Sequence, residues 1–299
     1  MRSTSPLLRA SAVLATTLLI GACSPPSPNT AAPAGRAEAR ASTTSDSAMF
    51  GHVHDLAFNP ADDRVYVATH HGLFFLENNT PHPVGDSRQD TMGFTITGPD
   101  NDFLASGHPA PDEEGPTNLG LLRSTDAGRT WEEVSLGGQS DFHALTAVDE
   151  RIYGLDSATG SIKRSDDGGS TWKDGAAIAA RDLDVDPADP DRLLATTAEG
   201  LMVSTDAGTS FQPAAAQPPK ALIVLDHLPP GEGGGELVGL DSTGVAWRFK
   251  AGAWSSSGMQ QGAPEALTAV DQSTYLAAFN TQVYRSADAG KTWDLISAP

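Results

Sequence analysis

Histidines are the residues of this sequence best suited to chemistry, because seven of the eight lie between positions 52 and 143. Imidazoles with carboxylates beside them suit a borderline transition ion such as Zn(II) or Cu(II). Alternation along a strand puts His52 and His54 on one face, whereas the adjacent His70 and His71 point to opposite faces, so only one of that pair contributes. The candidate metal ligands are His52, His54, His71, His108 and His143. The alternative is that each histidine only hydrogen-bonds to backbone at a loop or strand end.

Carboxylates offer a second chemistry, glycoside hydrolysis, which needs two acids about 5–10 Å apart across a cleft. The candidates for such a pair are Asp55, Asp141, Asp156 and Asp241. A sequence gives no distance between them, and an acidic, water-filled cavity needs no catalysis to explain it, so a binding role is favoured. Asp182, Asp184 and Asp186 alternate along one strand and share a face. A solvated or turn-bonded role is the favoured interpretation of these three.

A repeated pattern determines which elements hold these residues. Four copies of Ser-x-Asp-x-Gly-x-Thr/Ser-Trp/Phe begin at serines 41, 39 and 82 residues apart, and the last interval is two repeats with a degenerate copy between them. The copies, here called boxes, are Ser124-Asp126-Gly128-Trp131, Ser165-Asp167-Gly169-Trp172, Ser204-Asp206-Gly208-Phe211 and Ser286-Asp288-Gly290-Trp293. Internal periodicity of this length is typical of a solenoid or a propeller.

Each repeat divides into four short strands separated by Gly, Asp and Ser clusters, which predicts an all-β fold. The pattern indicates a six-bladed β-propeller over residues 49–299, with blades at about 49–90, 91–138, 139–178, 179–218, 219–261 and 262–299. Each box then forms the turn between strands three and four, where its aspartate accepts hydrogen bonds from backbone N–H groups. Its glycine supplies a positive φ, its threonine enters the following strand, and its aromatic residue packs between blades.

This topology also predicts where a binding site lies. The boxes occupy one rim of the disk, so the connections from strand two to strand three and from one blade to the next occupy the other. Six histidines map to that other rim on three adjacent blades, and Asp241 lies across the channel from them. We therefore predict a histidine-rich rim over blades 1–3 that binds a ligand, with Zn or Cu as the candidate metal. We expect the ring to close by packing of the last blade on the first, with or without the segment that precedes the propeller.

The first 22 residues predict a lipoprotein signal peptide. An apolar stretch at 10–20 follows a basic start and is too short to span a bilayer. The segment Ile20-Gly21-Ala22-Cys23 resembles a bacterial lipobox, with Cys23 as the lipidated residue. Residues 23–48 then hold this cysteine and a tether without apolar periodicity, which predicts disorder. The alternative is an ordinary secretory signal with a stray cysteine.

Composition narrows the class of partner. Cys23 is the only cysteine, which excludes disulfides and cysteine-ligated metal. The net charge of -19 argues against nucleic acid and against electrostatic docking on anionic lipid. We expect a monomeric, extracytoplasmic lipoprotein, anchored to a membrane of the bacterial cell envelope through the Cys23 lipid. An envelope protein or a glycan is a further candidate partner.

The boxes resemble those of the Asp-box (BNR) propellers of the sialidase-like superfold, and the resemblance covers residues 49–299. The segments His52-Val53-His54, Thr69-His70-His71-Gly72, Ser106-Gly107-His108-Pro109 and Asp141-Phe142-His143 look like those of bacterial secreted propellers labelled glycosyl hydrolase-like. The resemblance implies a set of sialidase residues that includes an arginine triad. Arg123, Arg164 and Arg285 each precede a box, at the wrong end for a central site, which argues against sialidase activity.

Three functions remain as hypotheses. The first is a protein that acts by binding a metal, a small ligand or an envelope protein at the histidine-rich rim. The second is a glycoside hydrolase with an acid pair unlike that of sialidases. The third is an assembly or scaffold factor, as the resemblance to photosystem II assembly factors of the same family implies. We favour the first and lean against an enzyme.

Overall fold

Six antiparallel sheets of four strands make up nearly all the regular structure of the protein. The computed structural model describes residues 47–229 and 235–297, so the predicted signal peptide and the lipidation of Cys23 lie outside the described residues. The predicted class, an all-β six-bladed β-propeller, is confirmed. Within the two described ranges, no helix is long and apolar enough to cross a membrane.

Each blade consists of four strands that are consecutive in sequence. Blades 1 to 3 contain β1 Val53–Asn59, β2 Arg64–Thr69, β3 Gly72–Glu77, β4 Thr80–Pro83, β5 Asp90–Ile96, β6 Phe103–His108, β7 Leu121–Ser124, β8 Glu132–Ser135, β9 Phe142–Val148, β10 Arg151–Asp156, β11 Ser161–Ser165 and β12 Lys173–Ala177. Blades 4 to 6 contain β13 Ala180–Val185, β14 Leu193–Thr197, β15 Gly200–Ser204, β16 Gln212–Pro213, β17 Leu222–His227, β18 Leu237–Asp241, β19 Val245–Lys250, β20 Ala253–Met259, β21 Pro264–Ala269, β22 Tyr275–Phe279, β23 Gln282–Ser286 and β24 Asp294–Ser297. A four-residue helix, α1 (Ser47–Phe50), precedes β1.

The four boxes adopt the same turn. In the first box, Asp126 Oδ1 accepts a hydrogen bond from the Thr130 amide at 2.9 Å, and Oδ2 accepts one from the Thr130 hydroxyl at 2.8 Å. The Ser124 hydroxyl accepts a bond from the amide of Gly128, whose φ of 79° favours glycine. The corresponding bonds recur in the other three boxes.

The aromatic residue of each box packs into the hydrophobic cluster shared with the preceding blade. These residues are Trp131, Trp172, Phe211 and Trp293. The fourth strand begins directly after the aromatic residue, at Glu132 in blade 2 and Lys173 in blade 3. The box threonine therefore lies in the turn and not in the strand as the sequence suggested, because its hydroxyl is held by the box aspartate.

Side-chain oxygens link each blade to the next. In every case a side-chain oxygen on one blade accepts a hydrogen bond from a backbone amide on the neighbouring blade. The acceptor and donor pairs are Asp55 and Phe94, Ser106 and Phe142 at 3.0 Å, Thr146 and Val185 at 3.4 Å, Asp182 and Leu225 at 2.9 Å, Asp226 and Ala269 at 2.7 Å, and Glu265 and Val53 at 3.4 Å. These bonds satisfy amides that the sheets leave free at the blade boundaries. The inner ring of strands is thus connected at all six boundaries.

The ring closes between blades 6 and 1, and in the described part of the chain no strand is exchanged across this boundary. A hydrophobic cluster spans it, with Phe50 and Val53 on one side and Leu276 and Val283 on the other. The closure therefore depends on packing and on side-chain bonds. A contribution from the chain before residue 47 lies outside the described residues.

A β-bulge interrupts the first strand of every blade near its start, between two residues that pair normally with strand two. The bulge residues are His54, Met92, His143, Arg181, Ile223 and Glu265. A bulge leaves one residue unpaired and changes the direction of its side chain. All of these residues except Ile223 line the central channel. The six bulges therefore form a ring at one mouth of the channel, here called the bulge ring.

Candidate metal centre

Two clusters of histidine and aspartate lie on the rim opposite the boxes. The first cluster contains His54, His70 and Asp90. His54 Nε2 lies 3.2 Å from His70 Nδ1 and 3.2 Å from Asp90 Oδ1, and His70 Nδ1 lies 2.7 Å from the same oxygen. A tetrahedral ion with bonds of 2.0–2.1 Å has ligand atoms about 3.3 Å apart. These three atoms therefore approximate one face of such a coordination shell.

Different elements bring the first cluster together. His54 is the bulge residue of β1, His70 follows the last residue of β2, and Asp90 opens β5 of the next blade. Burial acts to raise the pKa of Asp90, but the close contacts with the His54 and His70 imidazoles outweigh it and leave that pKa below its usual value. Asp90 is therefore an anion that faces two imidazoles.

The second cluster contains His108, Asp141 and His143, whose candidate ligand atoms lie within 4.8 Å of one another. Asp141 Oδ2 lies 2.6 Å from His143 Nε2 and 3.4 Å from His108 Nε2, and it accepts a bond from the Ser157 hydroxyl at 2.6 Å. Burial acts to raise the pKa of Asp141, yet the bonds from His143 and Ser157 hold it below its usual value. Asp141 is only 3% exposed, and its Oδ1 has no hydrogen-bond partner.

A backbone carbonyl fixes the tautomer of His108. Its Nδ1 lies 2.8 Å from the carbonyl oxygen of Thr117, which can only accept, so Nδ1 carries the proton and donates it. In the neutral ring, Nε2 is then a lone-pair nitrogen directed at Asp141. Metal-bound histidines in proteins are oriented in this way by a partner on the other ring nitrogen.

The two clusters occupy equivalent places at successive blade boundaries. His70 and His108 both come at the end of strand two, and Asp90 and Asp141 both come at the start of strand one in the following blade. Asp90 and His108 are also register partners across β5 and β6. Directly opposed residues of antiparallel strands have Cα atoms about 5 Å apart, so the two clusters are neighbours.

The remaining rim histidines take other positions. His52 is 63% exposed, and its Nδ1 lies 3.4 Å from Glu265 Oε1. His71 Nδ1 donates to the carbonyl of Met49 at 3.0 Å, so this imidazole is turned away from the first cluster. Sequence reasoning preferred His71 over its neighbour His70 as a metal ligand. The structure instead brings His70 into a cluster.

Sequence reasoning missed Asp90 as a candidate ligand. It lies two residues before the bulge residue Met92 of blade 2, as Asp141 lies two residues before the bulge residue His143 of blade 3. The signal was available, because aligning Asp90-Thr-Met with Asp141-Phe-His places Met92 and His143 in the same bulge. The predicted boundary of blade 1 at residue 90 separates Asp90 from β5, the strand that it opens, and so hides this correspondence.

Three of the four candidate catalytic acids serve other contacts. Asp141 belongs to the second cluster. Asp156 accepts the Thr159 hydroxyl at 2.9 Å, and Asp241 accepts the Thr243 amide at 2.8 Å, so each holds the turn that follows its own strand. Both of these carboxylates are buried, at 1% and 0% exposure. Asp55 is the fourth, and it lies in the channel.

The channel has a volume of about 430 Å³ and is lined largely by first-strand residues. Three of the carboxyls that line it have raised pKa values, and burial is the main reason. The pKa of Asp55 lies well above its usual value, that of Asp182 is about 7, and that of Asp226 is about 8. Their hydrogen bonds to neighbouring blades assign them a structural role in the ring.

The other two acids of the alternating run in blade 4 are also bonded. Asp184 Oδ2 lies 2.5 Å from Nδ1 of the buried His227, across the boundary between blades 4 and 5. Burial lowers the pKa of His227, but the charge of Asp184 outweighs it and the pKa is raised overall. Asp186 pairs with Arg192 at 2.9 Å. The run thus forms ion pairs and blade contacts.

No protein-family model and no curated protein matches this sequence. Solved structures share its fold. The GH74 enzyme of Niastella koreensis superposes with a TM-score of 0.58 at 14% identity, over 82% of this chain and 45% of that enzyme. A putative gluconolactonase gives 0.62 at 12% identity, over 82% and 90% of the two chains. YCF48 bound to D1 peptide gives 0.50 at 15% identity, over 82% and 81%.

This chain spans less than half the length of the GH74 enzyme. At such low identity the likenesses concern the fold alone, and neighbours with one fold carry different functions. What this chain does therefore has to be argued from the rim and the channel.

Proposed function

We propose that this protein binds transition-metal ions, Zn(II) or Cu(II), through the two histidine–aspartate clusters of its rim. It acts by binding, as a lipoprotein held at the extracytoplasmic face of a membrane by the lipid on Cys23. The observation that carries the proposal is the convergence of two imidazole nitrogens and a carboxylate oxygen in each cluster.

Electrostatics within the second cluster supports a cation. With the tautomer that Thr117 requires, His108 Nε2 and Asp141 Oδ2 are both acceptors, 3.4 Å apart. Two lone pairs at this distance repel unless a proton or a metal ion lies between them. A metal ion held by both oxygens of Asp141 would also give the buried Oδ1 a partner, and an unsatisfied buried acceptor costs about 1–3 kcal/mol.

The candidate acids argue for binding over glycoside hydrolysis. A glycosidase needs two carboxyls that are free to reach a substrate. Asp156 and Asp241 are hydrogen-bonded within their own turns, and Asp141 is bonded to an imidazole of its cluster. The channel acid Asp55 then has no free partner among the four candidates.

The test is metal titration of the purified protein with Zn(II) and Cu(II), read by metal content and by the metal-induced rise in melting temperature. The wild type is expected to hold two ions. The double variant His108→Ala/His143→Ala should hold one and remain folded. His82→Ala is the matched control, because this histidine stacks on Phe75 at 5.2 Å, away from both clusters.

His71→Ala adds a second control on the rim itself, and it should keep both ions because His71 is bonded to Met49. Absence of stoichiometric metal in the folded wild type would refute the proposal. Equal metal content in the wild type and the double variant would refute the assignment of the second cluster.

A further inference from the structure

The residues of the bulge ring differ in chemistry between the two sides of the channel mouth. On blades 1 to 3 its members are His54, Met92 and His143, whereas blades 4 and 6 contribute Arg181 and Glu265. Met92 therefore stands between the two bulge histidines, each of which belongs to one of the clusters. All three line the same channel.

Register places Met92 beside both clusters. It follows Asp90 of the first cluster by two residues on β5, which puts their Cα atoms about 7 Å apart, and the bulge places Met92 at the channel lining together with His54 and His143. Asp90 in turn pairs with His108 of the second cluster. A methionine side chain has three rotatable bonds, so its sulfur can cover this range.

Packing does not explain a methionine at this place. Met92 is only partly buried, and it belongs to none of the hydrophobic clusters found in residues 47–229 and 235–297. The channel that it lines also contains His54, His143 and Asp55. Because Met92 gains little from burial here, its thioether sulfur is the group of this side chain that can act, as a metal ligand.

We infer that the metal held at this rim is cuprous copper and that the thioether of Met92 is one of its ligands. The inference rests on the proposed function, because it uses the same two clusters, and it assigns Cu(I) in place of Cu(II) as the form of copper that they bind. Thioether and imidazole ligands together select Cu(I), whereas Zn(II) is satisfied by imidazole and carboxylate without sulfur. Met92 thereby gives the rim a preference for Cu(I) over Zn(II) that the histidine–aspartate clusters alone lack.

The test compares two ions on three proteins. Cu(I) affinity is measured without oxygen, with ascorbate present, by competition with the chromophoric chelator bathocuproine disulfonate, and Zn(II) affinity by competition with a zinc chelator. The variant is Met92→Leu, which keeps an apolar side chain of similar volume. Met202→Leu, in the third strand of blade 4, is the matched control.

Met92→Leu is expected to weaken Cu(I) binding at least tenfold, about 1.4 kcal/mol, and to leave Zn(II) binding within about twofold. The control should change neither affinity. X-ray absorption at the copper edge should show a sulfur scatterer in the wild type that disappears in Met92→Leu.

Two failures are distinguishable. If the wild type binds Zn(II) or Cu(I) but Met92→Leu leaves Cu(I) affinity unchanged, the inference about Met92 is wrong and the proposed metal function stands. If the wild type binds Zn(II) or Cu(II) but not Cu(I), only the inference is wrong. If it binds none of the three ions, both are wrong. An equal loss of Cu(I) and Zn(II) in Met92→Leu would also overturn the inference, because it would mean that Met92 only supports the shape of the rim.

Discussion

Glu265, in the first strand of the last blade, accepts a hydrogen bond from the backbone amide of Val53, in the first strand of the first blade, at 3.4 Å. The same oxygen accepts the amide of Thr281 at 3.1 Å. Glu265 is 8% exposed, so both amides depend on it rather than on water. One carboxylate thus joins the two ends of the ring.

Glu265→Ala should therefore lower the free energy of unfolding by about 1–3 kcal/mol, because it leaves buried amides without an acceptor. Denaturant unfolding measures this change. Glu77→Ala is the control, since Glu77 makes an exposed ion pair with Arg64 and such pairs contribute about 0–1 kcal/mol. Equal stability of the two variants would show that the ring closes by packing alone.

The box aspartates should matter more for folding than for binding. Asp167 holds its turn through the hydroxyl and amide of Thr171, and these bonds lower its pKa to about 2. Asp167→Ala is expected to lower the melting temperature by several degrees and to leave metal stoichiometry unchanged in the folded protein. The control is Asp174→Ala, which removes only a surface ion pair with Lys163. Identical thermal melts for both variants and the wild type would contradict the structural role of the box.

Channel carboxyls should make stability depend on pH. The pKa values of Asp182 and Asp226 are about 7 and about 8 in the folded protein, against about 3.9 for an unfolded chain. Between roughly pH 4 and 8 the folded state keeps protons that the unfolded state releases, so stability falls as pH rises through this window and is level above it. The total effect is expected to be on the order of a few kcal/mol.

The double variant Asp182→Asn/Asp226→Asn should flatten this profile, because an amide does not titrate. Denaturant unfolding at several pH values between 4 and 9 compares it with the wild type and with Asp174→Asn as the exposed control. A slope in the double variant as steep as in the wild type would assign the pH dependence to other groups.

Loss of metal binding at one histidine–aspartate cluster should leave metal binding at the other unchanged. Asp90→Ala removes the carboxylate of the first cluster and should reduce the stoichiometry from two ions to one, leaving the affinity of the second cluster unchanged. Asp86→Ala, an exposed acid in the same connection, is the control and should keep both ions. Loss of both ions in Asp90→Ala would mean that the clusters form one cooperative site, since Asp90 and His108 are paired across β5 and β6.

The fold was predictable because its signal is local and repeated. Each box encodes one turn through Ser, Asp and Gly, and the spacing of the boxes sets the length of a blade. The rim that carries the histidines followed from topology alone. Asp156 and Asp241 illustrate the limit, because a buried acid at a strand end looks the same in sequence whether it caps a turn or faces a substrate.

The composition of the clusters was only partly predictable, because it depends on the bulges. A bulge is an irregularity in pairing between two strands, and neither strand encodes it by itself. Alternation showed that His70 and His71 point apart, but the choice between them depended on where the chain before β1 runs. His71 is bonded to Met49 in that segment, which leaves His70 for Asp90.

Every sheet of this protein consists of four strands that are consecutive in sequence. The chain therefore passes from one blade to the next without dividing a sheet, for example between β8 and β9 or between β12 and β13. Circular permutation at such a passage would keep all six sheets whole, as would duplication or deletion of a blade as one genetic unit. The propeller is thus modular. Its number of blades is the number that closes the ring so that Glu265 of the last blade reaches the Val53 amide of the first blade.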